Sequence, residues 1–430
     1  MQQTLRGTGT CSDARFARFV KTSVVRAIRS GARTFEDLLL SLPSIYPTEV
    51  LNAVDQIRGL SSVDDELLRR IRTDAGARPR RVARGGSLLP LPHPLDFEWR
   101  FSEETCRELL VGAKEMTRRG ETILLYGTPG LAYAAVSLPV RNRRVVFVGA
   151  DTAVTRRLRC LNDTAGRPIS VLVGEGVERG CASAVLVDPP WYLDYLEPML
   201  AGAAAACRLD GVVVAGLPPL GIRPGASAER DAVDLLLERQ GLDRVALEEL
   251  GISYETPFFE ANALAAVGVC VPAVWRRGDL AVYRRRTAFR GRTVAPVSPL
   301  EVWEEVEIEG MRIRVRFERG VSASREVLES VVRGDVLPSV SRRDPRRARA
   351  NVWTSGNRIF RTGDPMLVLE AASACRDEGV SGGTRSLWRS VAEQDVLATL
   401  VARLQRIAEI EAEERAGFER GGRNRFGWAA

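Results

Sequence analysis

Histidine is almost missing from this chain. His93 is the only one in 430 residues, and it lies in the proline-rich stretch Leu89-Pro90-Leu91-Pro92-His93-Pro94. That leaves little ground for a Ser-His-Asp triad or a histidine-based metal site. Cysteine is sparse and scattered, as Cys11, Cys106, Cys160, Cys181, Cys207, Cys270 and Cys375. The number is odd and no Cys-x-x-Cys pair occurs, which argues against a zinc knuckle or a disulfide scaffold and fits reduced thiols. No run of 18 apolar residues is present, so no membrane span is expected. Met1 to Ser12 is polar and lacks the apolar core of a signal peptide, so the expected location is the cytoplasm. Lysine is also rare, with Lys21 and Lys114 alone; the net charge of +7 is an arginine charge. A basic balance suits a polyanionic partner. The arginine excess, however, accompanies abundant Ala, Gly and Val, as GC-rich coding produces, and is weak evidence by itself.

Apolar residues make up 45% of the chain, ample for a globular core, and the length predicts two or three domains. Residues 13–75 have a helical rhythm. One helix is predicted over Phe19–Ile28, stopping at Ser30-Gly31. A second is predicted after Thr34 as N-cap, with acids in its first turn. A third is predicted from Pro47. Residues 76–100, with Arg78-Pro79-Arg80-Arg81 and several prolines, read as a linker.

From 101 to 290 strands and helices alternate. The predicted strands are Thr122–Tyr126, Arg144–Val148, Pro168–Val173, Val185–Val187 and Gly211–Ala215, with Leu247–Tyr254 and Leu280–Arg284 closing the array. This order predicts an α/β fold, a doubly wound sheet with right-handed crossovers. From 295 to 420 the pattern is α+β: a β-hairpin turning near Gly310, then an amphipathic helix over Val396–Glu414. The Gly- and Arg-rich end, 421–430, is expected to be disordered. No internal repeat is found.

The most informative residues are Asp188-Pro189-Pro190-Trp191, which end the apolar run Ala184–Val187. Ligands of open α/β sheets bind at the carboxyl ends of strands. The Asp188 carboxylate can accept a hydrogen bond from an exocyclic NH2, and the proline-fixed turn can present a carbonyl as a second acceptor. Trp191 offers a stacking face for a planar base, and Tyr192 can line the same pocket. Gly127-Thr128-Pro129-Gly130 follows the first strand of the array and precedes a helix, where glycines let the backbone approach a ligand. Asp151 follows the second strand, placed as a bidentate acceptor for ribose hydroxyls or as a helix N-cap. Glu175 follows the third strand, placed to meet an adenine amino group or simply solvated.

These residues, in this order, resemble the class I (Rossmann-like) S-adenosylmethionine-dependent amino-methyltransferases. The Asp-Pro-Pro-Trp motif looks most like the branch that methylates N6 of adenine. The resemblance implies S-adenosylmethionine as cofactor, held by Gly127, Gly130, Asp151 and Glu175, with Asp188, Pro189, Pro190 and Trp191 as the catalytic motif. The three helices before the sheet resemble a winged helix-turn-helix domain. Its recognition helix would carry Glu49 and Asp55, with no Arg before Arg58, a poor face for phosphates. Pairing of two subunits or docking of another protein is favoured over DNA reading. The glycine loop departs from the family pattern, keeping two glycines with Pro129 between them. That leaves a non-catalytic binding module open. A helical domain before such a sheet also resembles the branched-chain polyamine synthases, aminopropyltransferases that use decarboxylated S-adenosylmethionine. The absence of acids at Gly127–Gly130 and the basic balance count against that substrate class.

Two segments are strongly basic. Arg276–Arg292 and Ser339–Arg361 each contain seven Arg and one Asp. The second interleaves Arg342, Arg343, Arg346 and Arg347 with Trp353. Cations beside an aromatic ring suit phosphate contact plus base stacking, so these five residues are the candidate nucleic-acid contacts, with a solvated basic loop as the alternative.

Overall fold

The computed structural model describes residues 9–42, 44–59, 63–77, 88–138, 140–173, 177–287, 302–317, 327–377 and 391–420. The chain divides into two compact units that interleave in sequence. The first takes residues 1–77, 99–256 and 271–298, and the second takes 78–98, 257–270 and 299–430.

The first unit begins with four helices: α1 (Gly9–Arg29), α2 (Phe35–Ser41), α3 (Pro47–Gln56) and α4 (Asp65–Asp74). Thr34 caps α2 in a full capping box: its hydroxyl accepts from Asp37 N, and the Asp37 carboxylate accepts from Thr34 N. Pro47 occupies the first turn of α3, where its missing N–H costs nothing. The first helix is about twice as long as the apolar pattern predicts, and Gly31 at φ +112° follows its end. Among the described residues no β-hairpin follows α3. The fourth helix stands there instead, so the wing of the expected winged domain is not seen.

The sheet follows α5 (Glu103–Glu115). In chain order come β1 (Thr122–Tyr126), α6 (Pro129–Ser137), β2 (Arg144–Gly149), α7 (Ala153–Thr164), β3 (Ser170–Val173), β4 (Ala182–Val187), α8 (Leu193–Ala206), β5 (Cys207–Leu217), α9 (Ala226–Arg239) and β6 (Leu242–Glu255). The chain leaves for α10 (Phe258–Ala265) of the second unit and returns as β7 (Val274–Arg285). The strand order is β3-β2-β1-β4-β5-β7-β6. Six strands run in one direction, and β7 is antiparallel to both of its neighbours, β5 and β6. This is the doubly wound, Rossmann-like sheet expected, closed by a reversed strand. Every residue of β4 is buried, which is why it reads as a continuous apolar run rather than an alternating one. The order reverses between β1 and β4, and a switch point of this kind opens a crevice at the strands' carboxyl ends.

Among its described residues the second unit holds a five-stranded sheet, three α-helices and a short 3-10 turn at Pro345–Arg349. Its strands are β8 (Trp303–Ile308), β9 (Met311–Arg316), β10 (Glu329–Ser330), β11 (Val352–Thr354) and β12 (Ile359–Arg361), in the order β10-β12-β11-β9-β8. With α10, the helices α11 (Pro365–Asp377) and α12 (Val391–Arg420) complete it. The hairpin turns at Glu309 and Gly310, both with positive φ, as a two-residue type I′ turn requires. The stretch 88–98, expected as part of a linker, is instead built into this unit. His93 is fully buried: Nε2 donates to the Trp353 carbonyl, and Nδ1 accepts the Leu95 N–H. Burial and the nearby Arg314 and Arg312 push its pKa well below the usual value, so the imidazole is neutral. Residues 78–87 and 421–430 lie outside the described residues, as does part of the expected boundary near 290–295.

Asp96 of the same stretch closes a buried ionic network. Arg312, wholly inaccessible, donates to both Glu305 oxygens at 2.9 Å, to Asp96 at 2.9 Å and to the Leu91 carbonyl at 2.7 Å. Arg314 bridges the same two acids at 2.5 and 2.6 Å. Removing one member of a buried, fully bonded network leaves its partners uncompensated. Arg312→Ala is therefore expected to destabilise the second unit by about 3–5 kcal/mol, read as a lower urea midpoint.

Candidate active site

The carboxyl end of β4 delivers Asp188 into the crevice. Its Oδ1 accepts a hydrogen bond from the Tyr254 hydroxyl at 2.7 Å, and no cation pairs with it among the described residues. Burial pushes the Asp188 carboxyl up to about 7, with the Tyr254 bond pulling partly against it. Tyr254 comes from the end of β6 and is 2% exposed. Phe101, bridged to Tyr254 through backbone pairing, packs its ring 5.2 Å away.

Two glycines make room for this arrangement. A Cβ on Gly216 of β5 would overlap the Asp188 carboxylate and lie 3.0 Å from the Tyr254 hydroxyl. A Cβ on Gly278 of β7 would lie 3.1 Å from the Trp191 ring. Isolated glycines inside strands mark such close approaches.

Pro189 and Pro190 turn the chain. The Pro190 carbonyl accepts from Tyr192 N at 2.7 Å. Trp191 meets the Tyr254 ring edge-on, 5.6 Å between centroids. Arg276 of β7 holds its guanidinium 5.8 Å from the Trp191 ring, 5.3 Å from Trp99 and 4.8 Å from Trp275. Arg223 donates to the Trp191 carbonyl at 2.5 Å, pairs with Glu229, and lies 5.9 Å over the Tyr192 ring. Tyr192 is the N-cap residue of α8, so all four motif residues and Tyr192 are brought together.

The second half of the crevice lies at β1. Gly127 has φ +69°, donates its N–H to Val148 O at 2.8 Å, and passes so close to Met199 that a Cβ would lie 2.8 Å from its methyl. Gly130, in the first turn of α6, would place a Cβ 3.3 Å from the Arg100 stem. Thr128 is the N-cap of α6, yet its buried hydroxyl has no hydrogen-bond partner. Asp151 lies just past β2, two-thirds exposed and 3.7 Å from Arg156. The N-cap of α7 is Thr152, in a capping box with Thr155, so Asp151 does not serve that role. Glu175 lies outside the described residues.

The basic segment of the second unit differs from expectation. Trp353 is 1% exposed, donates its ring N–H to Asn357 at 3.2 Å, and is covered by Arg347 at 4.3 Å. Its face belongs to the core and is not open for stacking a base. Arg346 is held by Asp344 through two bonds, at 2.9 and 2.6 Å. Arg342 is half-buried and Arg343 exposed.

Tyr254, Arg276 and the glycines at 216 and 278 were not foreseen as site residues. The two mid-strand glycines were the signal available.

The sheet order and the reversed strand define a doubly wound, Rossmann-like α/β fold. The chain matches no family model and no curated protein. Solved structures resemble it at low identity. The branched-chain polyamine synthase from Thermus thermophilus, in complex with N4-aminopropylspermidine and 5′-methylthioadenosine, is 14% identical, with TM-score 0.48, over 67% of this chain and 95% of that one. A putative RNA methyltransferase from Pyrococcus horikoshii is 17% identical, with TM-score 0.34, over 46% and 91%. A putative sarcosine dimethylglycine methyltransferase from Galdieria sulphuraria is 13% identical, with TM-score 0.31, over 43% and 84%. Among the described residues no helix is long and apolar enough to cross a membrane.

Proposed function

We propose that this protein transfers a methyl group from S-adenosylmethionine to an exocyclic amino group of a nucleic-acid base or nucleotide. The observation that carries the reading is Asp188, bonded to Tyr254 and flanked by Pro189 and Trp191, at the carboxyl end of β4 beside the switch point. S-adenosylmethionine supplies an electrophilic methyl group on a sulfonium. The positive-φ turn at Gly127, the unpartnered Thr128 hydroxyl and the exposed Asp151 carboxylate fit the polar parts of such a molecule. Asp188 and the Pro189 carbonyl would each accept one N–H of the target amine. Its lone pair then faces the donor, and positioning supplies much of the rate. Trp191 would bear on the base, which must leave a duplex to reach it.

A second reading has one observation in its favour. A carboxyl titrating near 7 can take a proton from an aliphatic ammonium group at neutral pH. That suits aminopropyl transfer from decarboxylated S-adenosylmethionine to an amine. Arg276 beside the Trp191 ring places a cation next to the motif, which suits an anionic substrate better than a polycation and favours the first reading.

Calorimetric titration with the two donors separates these readings. The parent donor is expected to bind at least about tenfold tighter than the decarboxylated one. Asp151→Ala, which removes up to two charge-assisted hydrogen bonds, should weaken it about 10- to 100-fold. Preference for the decarboxylated donor would move the assignment to amine aminopropylation.

A further inference from the structure

The solvent face of α1 carries a stripe of cations that the site chemistry does not use. Between Ala14 and Phe35 the chain holds Arg15, Arg18, Lys21, Arg26, Arg29 and Arg33, and no acid. At 100° per residue, Arg15, Arg18, Thr22, Arg26 and Arg29 fall within an arc of about 80°. Val20, Val24, Ala27 and Ile28 lie on the opposite side and are buried, at 2%, 0%, 8% and 6% exposure. The four arginines of the stripe are exposed, and among the described residues none of their guanidiniums is held in an ion pair. From Arg15 to Arg29 the stripe runs about 21 Å. Beside it lies an open depression of about 520 Å³, lined by Lys21, Arg26, Arg29, Ser30 and Ile57. The nearby acid Asp55 of α3 is engaged by Arg72 at 3.4 Å.

We propose that α1 docks the phosphate backbone of a nucleic acid. Alignment on one face of a rigid helix is what separates this stripe from the general arginine excess. A membrane surface fits poorly, because the apolar side of α1 is spent on the domain core. Among the described residues Phe19 is the one large apolar side chain of α1 that is exposed, and its ring rests against Gly221. The third helix, with Glu49 and Asp55, offers phosphates no comparable face. The inference does not depend on the transfer chemistry.

The test is fluorescence anisotropy of the full chain with a fluorescein-labelled 20-mer DNA duplex over a salt series, with no donor present. In the combined variant Arg15→Gln, Arg18→Gln, Arg26→Gln, Arg29→Gln, affinity at low salt should fall about 100-fold or more. The slope of log K against log salt should flatten by about 3–4, near 0.9 per lost phosphate contact. Lys at the same four positions should keep both. An unchanged slope in a Gln variant with native circular dichroism would overturn the proposal. So would an equal loss in the Lys variant, or tighter binding of phosphatidylserine vesicles than of DNA.

Discussion

Replacing Asp188 with Asn is expected to lower the transfer rate about 10³-fold while leaving donor affinity within about twofold. The carboxamide fills the same space but replaces an anionic acceptor with a group that also donates. The amine then loses a hydrogen bond that strengthens as its nitrogen becomes positive. The pH profile carries the sharper signature. Burial raises the Asp188 carboxyl from its ordinary 3.8 to about 7. The ionised form accepts the amine, so the rate should rise with pH through about 7 and then level. That limb should vanish in Asp188→Asn. In Tyr254→Phe it should move to higher pH, because the Tyr254 hydroxyl is the group holding the carboxyl down. Stability follows the opposite sign. A carboxyl whose pKa is raised in the fold favours folding when protonated, and ionising it costs the folded state increasingly between pH 4 and 7. Asp188→Asn should therefore be no less stable than the wild type at pH 8. A loss of rate in a stable protein assigns the effect to the site; an undiminished rate would remove Asp188 from the mechanism.

Gly216→Ala is the second large effect, and it reaches the site without touching any motif residue. The added methyl would overlap the Asp188 carboxylate, lie 3.0 Å from the Tyr254 hydroxyl and 3.1 Å from Ile252. None of these can move freely, since Asp188 precedes two prolines and Tyr254 is buried. The carboxylate must swing aside, and displacement by an ångström costs about 100-fold in a positioned reaction. Overpacking in the strand should also cost about 1–3 kcal/mol. Gly112→Ala on α5 is the control. Its Cβ would meet nothing, so activity should be unchanged and stability equal or slightly higher. Full activity in Gly216→Ala would show that the Asp188–Tyr254 geometry is not required.

How far the sequence carried the reading depended on how local each feature is. The N-cap at Thr34, the hairpin at Gly310 and the buried run of β4 are written in neighbouring residues, and each was legible. The boundaries between the two units were not. Residues 88–98 show no periodicity and read as a linker, yet His93 and Asp96 find their partners in Trp353 and Arg312, more than 200 residues away. Tyr254 was missed for the same reason. Its approach to Asp188 depends on β6 pairing with β7 and β7 with β5, an order that no local pattern encodes. Trp353 was misread because alternation with arginines looks alike whether the ring faces solvent or a core that an arginine covers.

The most direct measurement incubates the full chain with tritiated S-adenosylmethionine and adenine-containing oligonucleotides, single-stranded and duplex, then digests the product to nucleosides. The expected result is label in an N-methylated nucleoside, absent with Asp188→Asn. Label in no nucleoside, together with aminopropylation of an aliphatic amine from the decarboxylated donor, would contradict the account.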